Sequence, residues 1–141
     1  MKDFRADKRD SEAASRDGRA GILVIDDEPV LRCTFKHMLE EEGYRVWVAE
    51  DGREGLRMFR QHHPRLIITD MVMPGLDGSV VINTLRKESP EIPIIAISAI
   101  AKPAQMEQPL EGGAYCYLTK PIDMPTLFDL IRAILTPGPE V

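Results

Sequence analysis

The chain of 141 residues contains two cysteines, Cys33 and Cys116, far apart and outside any CxxC pair. That excludes a disulfide framework and a cysteine zinc site, and reads as reduced thiols of the cytoplasm. No apolar run approaches the roughly 20 residues that a membrane span needs. The first residues are charged and carry no apolar segment of the kind a secretory leader has, so the expectation is a protein that is not exported. A surplus of basic residues is missing as well. The net charge is -5, against the basic face that nonspecific nucleic-acid binding wants, so no direct nucleic-acid binding is expected. What is present is ample core material, 43% hydrophobic residues beside 29% charged ones. At this length the prior is one domain.

Residues 1–20 alternate six basic and five acidic residues among Ala, Ser and Gly, with one aromatic, Phe4. This composition reads as a disordered charged tail. Residues 21–136 read as the domain. Residues 137–141 follow as a C-terminal tail or the start of a linker, within "TPGPEV", whose prolines and glycine stop a helix.

Between the tails, short apolar runs alternate with helical patterns. The runs are Ile22–Ile25, Val46–Ala49, Leu66–Thr69, Ile94–Ser98 and Tyr115–Leu118. Short Ile/Val-rich runs suit strands covered on both faces. Leu31, Phe35, Met38 and Leu39 share a helix face that Gly43 closes. Leu56 and Phe59 begin a second helix, ended by His63-Pro64. Val81, Ile82 and Leu85 suit a third. Asp123 caps a last helix with Pro125 in its first turn and Leu127, Ile131, Ile134 and Leu135 inside. Five strands alternating with helices specify an α/β fold, a doubly wound five-stranded parallel sheet with helices on both faces. The flavodoxin-like order 2-1-3-4-5 leads at this size. It makes strands 1 and 3 neighbours at the switch point, where ligands bind beyond the carboxyl ends.

Three acids follow the first run directly, Asp26, Asp27 and Glu28, in "VIDDEP". The third strand ends in Asp70. Adjacent strands would bring Asp26, Asp27 and Asp70 together, pushing one or more towards protonation unless a cation sits among them. A hard divalent ion with oxygen ligands answers this, and Mg²⁺ fits best. Strand 4 ends in the Ser98 hydroxyl, and strand 5 ends in Thr119-Lys120-Pro121. Carboxylates, a hydroxyl and an ammonium around one metal make a phosphoryl site with a carboxylate nucleophile.

The motifs "ILVIDDEP", "LIITDMVMPGLDG", "IIAISA" and "GGAYCYLTKP", in this order and spacing, resemble those of the receiver domain of two-component response regulators, over about Gly21 to Leu135. The resemblance implies the CheY-like version of this fold and a cytoplasmic, phosphorylation-activated switch. In it Asp70 would be the phosphoacceptor, Asp27 a direct Mg²⁺ ligand, Asp26 a ligand through water, and Val72 a ligand through its backbone carbonyl. Ser98 and Lys120 would contact the phosphoryl group. Ala99 is small enough to leave that pocket open to a donor. The Lys120–Pro121 peptide would be cis. Tyr117 would be the aromatic switch residue, turning inward with Ser98; the plain alternative is a half-buried tyrosine on an edge strand. The donor would be a sensor histidine kinase or a histidine phosphotransfer protein, with His37, His62 and His63 of this chain only surface residues. The downstream target is not legible. The readout surface would be the helix between strands 4 and 5, strand 5 itself and the last helix.

Two features depart from that family. Pro103 could open the helix expected between strands 4 and 5, but Pro109 falls about two turns later in its interior, where a proline costs about 3 kcal/mol. A short, kinked or mobile helix is expected there, which leaves dimerisation through that surface open. Val72 and Ile100 stand where polar side chains often attend the attacking water, so a long-lived phosphate is expected. No output domain is legible, which leaves a stand-alone regulator or a fragment of a longer chain. The rival functions are a phosphorylation-independent interaction module and a metal-dependent phosphohydrolase. Against the hydrolase, Val72 stands where such enzymes place a second acid.

Overall fold

The computed structural model describes residues 19–71, 78–98 and 116–135. Val72, Ala99, Ile100, the segment with Pro103 and Pro109, and most of both tails lie outside them. The described elements are β1 (Gly21–Ile25), α1 (Pro29–Glu41), β2 (Arg45–Ala49), α2 (Gly52–His62), β3 (Leu66–Asp70), α3 (Gly78–Glu88), β4 (Ile94–Ser98), β5 (Cys116–Thr119) and α4 (Met124–Leu135). All strand pairs are parallel, in the order β2-β1-β3-β4-β5.

Residues of β1, β3 and β4 are buried on both faces, as their unbroken apolar runs require. Leu23, Ile25, Ile67 and Ala96 point to one side and pack with Leu56 and Phe59 of α2 and Val81, Ile82 and Leu85 of α3. Ile22, Val24, Ile68, Ile95 and Ile97 point to the other and meet Phe35 and Leu39 of α1 and Leu127 and Ile131 of α4. This is the expected doubly wound architecture. Alternate side chains of one strand feed two separate cores.

Helix boundaries follow local chemistry. Gly43, just past α1, has φ +101, a conformation only glycine takes cheaply. α2 begins earlier than the Leu56–Phe59 pair alone suggests. The Asp51 carboxylate accepts from the Glu54 N–H at 2.8 Å and starts the helix there. His63 closes it in the left-handed region with φ 52. Asp123 caps the start of α4, accepting from the Thr126 N–H at 3.2 Å. His62 departs from the surface reading: it is half-buried, stacked on Trp47 with ring centres 4.7 Å apart. His37 and His63 are exposed. No described helix is long and apolar enough to cross a membrane.

Candidate phosphoryl and divalent-cation site

Register places the polar residues. Ile25 of β1 pairs with Thr69 of β3, so Asp26 and Asp70 come next on neighbouring strands. Asp70 pairs with Ile97, putting Ser98 one step further along β4. Ser98 pairs with Thr119, and the Lys120 N–H donates to the Ser98 carbonyl at 2.8 Å, extending β5 by one residue. Every strand but β2 therefore delivers a functional group at its carboxyl end. The Lys120–Pro121 peptide that follows is cis.

Carboxylate oxygens of Asp26, Asp27 and Asp70 lie within 4.8 Å of one another. Asp26 and Asp70 are almost fully buried, and Asp27 is half-exposed. Lys120 Nζ donates to Asp70 Oδ2 at 3.1 Å and lies 3.8 Å from Asp26 Oδ2 and 3.9 Å from Glu28. One ammonium is thus shared among three carboxylates. At 3.8 Å its contact with Asp26 is coulombic only, and among the described residues the buried Asp26 Oδ2 has no hydrogen-bond partner.

The titration behaviour follows from this crowding. Burial pushes the Asp26 carboxyl above its ordinary value. The Glu28 N–H bond and the Lys120 charge oppose the shift, and the charges of Asp70 and Glu28 add to it. For Lys120 burial acts downward, but the hydrogen bond to Asp70 and the charges of Asp26, Asp70 and Glu28 outweigh it. The ammonium stands above an ordinary lysine. The donor set fits a magnesium ion on two counts: the acids are hard oxygen ligands at ligand spacing, and one buried carboxylate oxygen lacks a hydrogen-bond partner.

Tyr117 is half-buried on the edge strand β5 and packs against the α2–α3 core; burial pushes its phenol up. Ser98 is buried at the end of β4. Val72 and Ala99 fall outside the described residues. The sequence offers Glu28 as a third acid without a role, and Arg32 carries no signal in the motifs. Glu28 reaches Lys120 from the N-terminus of α1, and Arg32 Nη1 donates to the Asp26 carbonyl at 2.8 Å. Both fall within six residues of Asp26 at the start of α1, and that nearness in sequence is the signal that could have flagged them.

Comparison with known proteins gives a consistent result. A family profile described as the response regulator receiver domain matches residues 22–132. Protein PilH of Pseudomonas aeruginosa is 37% identical over 118 residues, covering 82% of this chain and 98% of that protein. A probable transcriptional regulator ycf27 of Cyanophora paradoxa is 43% identical over 114 residues, 81% of this chain and 47% of its own. The chain spans about half the length of most of the curated relatives it matches first. Among solved structures, the Francisella response regulator receiver domain superposes with TM-score 0.78 at 31% identity, covering 82% of this chain and 96% of that one. Chemotaxis protein CheY4 of Vibrio cholerae gives 0.77 at 29% identity, with 83% and 99% covered.

Proposed function

This chain belongs to the response regulator receiver domain family, a family of signalling domains regulated by phosphorylation, and we propose that it receives a phosphoryl group on Asp70 from a phosphohistidine donor. A sensor histidine kinase or a histidine phosphotransfer protein would supply it in the cytoplasm. The observation that carries the reading is the single ammonium of Lys120 set among the carboxylates of Asp26, Glu28 and Asp70.

A carboxylate oxygen of Asp70 attacks phosphorus in line. The O–P bond forms as the donor's N–P bond breaks, and the electron pair of that bond stays on the departing imidazole. Asp26, Asp27 and Asp70, with the Val72 carbonyl, would hold Mg²⁺, which supplies the positive charge that offsets repulsion between carboxylate and phosphoryl oxygens. Lys120 is already within hydrogen-bond range of Asp70 and can follow the charge onto the new phosphoryl oxygens. The Ser98 hydroxyl donates to one of them once the β4 end moves inward. The product adds roughly one to two negative charges and three strong acceptors at the carboxyl end of the sheet. That biases a two-state surface comprising the segment before β5, β5 with Tyr117, and α4.

Incubation with acetyl phosphate and Mg²⁺, read by intact mass, tests this. The expected result is one added phosphoryl group, lost in Asp70→Asn and in excess EDTA. Phosphate turnover without a stable adduct would instead indicate a phosphohydrolase. No reaction at all would indicate an interaction module that does not use phosphate.

A further inference from the structure

Arg32 takes no part in the phosphoryl chemistry above, yet its side chain is tied to the site. It stands half-buried in the first turn of α1, and its guanidinium donates to the main-chain carbonyl of Asp26 at 2.8 Å. That oxygen belongs to the peptide joining Asp26 to Asp27. Because the peptide is planar, holding its oxygen restrains ψ of Asp26 and φ of Asp27 together. The second angle sets the direction in which the Asp27 side chain leaves the backbone. Asp26 is fixed at two further points: its N–H donates to the Ala49 carbonyl at 3.0 Å, and its Oδ1 accepts from the Glu28 N–H at 2.8 Å. With these three ties in place, Asp26 Oδ2 is the carboxylate oxygen left buried without a hydrogen bond.

We infer that Arg32 is a positioning residue for the divalent-cation site, clamping the Asp26–Asp27 peptide so that both carboxylates stand beside Asp70 at ligand spacing. The inference rests on the proposed reading of that cluster as a magnesium site. A guanidinium beside a dication site acts in two ways of opposite sign. Its positive charge repels the ion, so if charge alone mattered, removing it would tighten binding. Its clamp preorganises the ligands, so if the clamp matters more, removing it weakens binding.

Calorimetric titration with Mg²⁺ alone separates the two. Arg32→Met keeps the aliphatic stem and loses every donor. Its magnesium affinity is expected to fall about tenfold, the lower end of what lost support around metal ligands costs. Arg32→Lys, which keeps the charge and one donor, is expected between Met and wild type. In both, the rate of acetyl phosphate labelling at saturating Mg²⁺ should stay within about twofold of wild type. Unchanged or tighter magnesium binding in Arg32→Met overturns the inference. If Arg32→Met shows no cooperative melt in EDTA, Arg32→Lys decides: weaker uptake than wild type upholds the clamp, and equal uptake overturns it. Wild-type protein that takes up no magnesium overturns the proposed metal reading itself, a result distinct from failure of the clamp alone.

Discussion

Asp26 concentrates the conflict between stability and use at the residue scale. Its carboxyl is buried, carries one oxygen without a hydrogen bond, and is pushed above its ordinary value chiefly by that burial. A carboxyl raised on folding is harder to ionise in the native state than in the unfolded chain. Its cost to stability is therefore absent below the unfolded value, near pH 4, grows as pH rises through the folded value, and is complete above it. Asp26→Asn is thus expected to stabilise the metal-free protein at pH 7 by about 1 kcal/mol, or about 4 °C in Tm. The gain should vanish at pH 3 and reverse in saturating Mg²⁺, where the wild type gains a ligand contact. Thermal melts in EDTA and in Mg²⁺ at both pH values check this. A variant that melts below wild type in EDTA at pH 7 contradicts the assignment. Lys120 is the counterweight. Without its ammonium, the buried acids would lose their nearest positive charge.

Close backbone packing sets the geometry at the scale of elements. Gly78 opens α3, and its N–H donates to the Met71 carbonyl at 3.0 Å. A Cβ there would stand 2.6 Å from both the Asp70 carbonyl oxygen and Met71 Cα, main-chain atoms that cannot swing aside. Gly78→Ala is expected to destabilise the domain by about 1–3 kcal/mol. It should also displace the end of β3 and slow acetyl phosphate labelling of Asp70, although it removes no functional group. Chemical denaturation and the labelling rate measure the two effects. Stability loss with an unchanged labelling rate would show that the strain is absorbed by α3. Gly55 plays a comparable part further back, where a Cβ would meet Ile25 Cδ1 at 2.4 Å and push α2 away from β1.

On the proposed function, the protein as a whole would act as a switch that couples one charge to a distant surface. Asp70 sits on a central strand and Lys120 follows an edge strand, so a phosphoryl group added there would pull on both at once. Arg132 of α4 contacts Glu42 beyond α1 at 3.3 Å, linking the last helix to the opposite side of the same sheet face. How long the charge persists depends on water. By the family resemblance the apolar Val72 and Ile100 would stand where polar side chains orient the attacking water. The phosphorylated protein is therefore expected to lose its phosphate over many minutes, with Val72→Asn faster. Release of inorganic phosphate from purified phosphoprotein measures this, and decay within seconds would refute it.

Much of this was legible from the chain alone, because it follows from local rules. Ile22–Ile25, Leu66–Thr69 and Ile94–Ser98 are apolar at every or nearly every position, which suits strands buried on both faces and hence a sheet wound on both sides. Acids and a lysine at the ends of such runs point to chemistry at the carboxyl edge. Boundaries were less legible where a side chain outside the apolar period does the work, as Asp51 does in starting α2. Only the tertiary structure decided how these groups meet. Register set Asp26 level with Asp70, and β4–β5 pairing carried Lys120 across 50 residues of sequence to within 3.1 Å of the Asp70 carboxylate. The hold of Arg32 on the Asp26 carbonyl and the close approach of Gly78, with no room for a Cβ, to the Asp70 carbonyl are also products of packing. They join side chain to main chain, or main chain to main chain, at distances no hydrophobic period encodes.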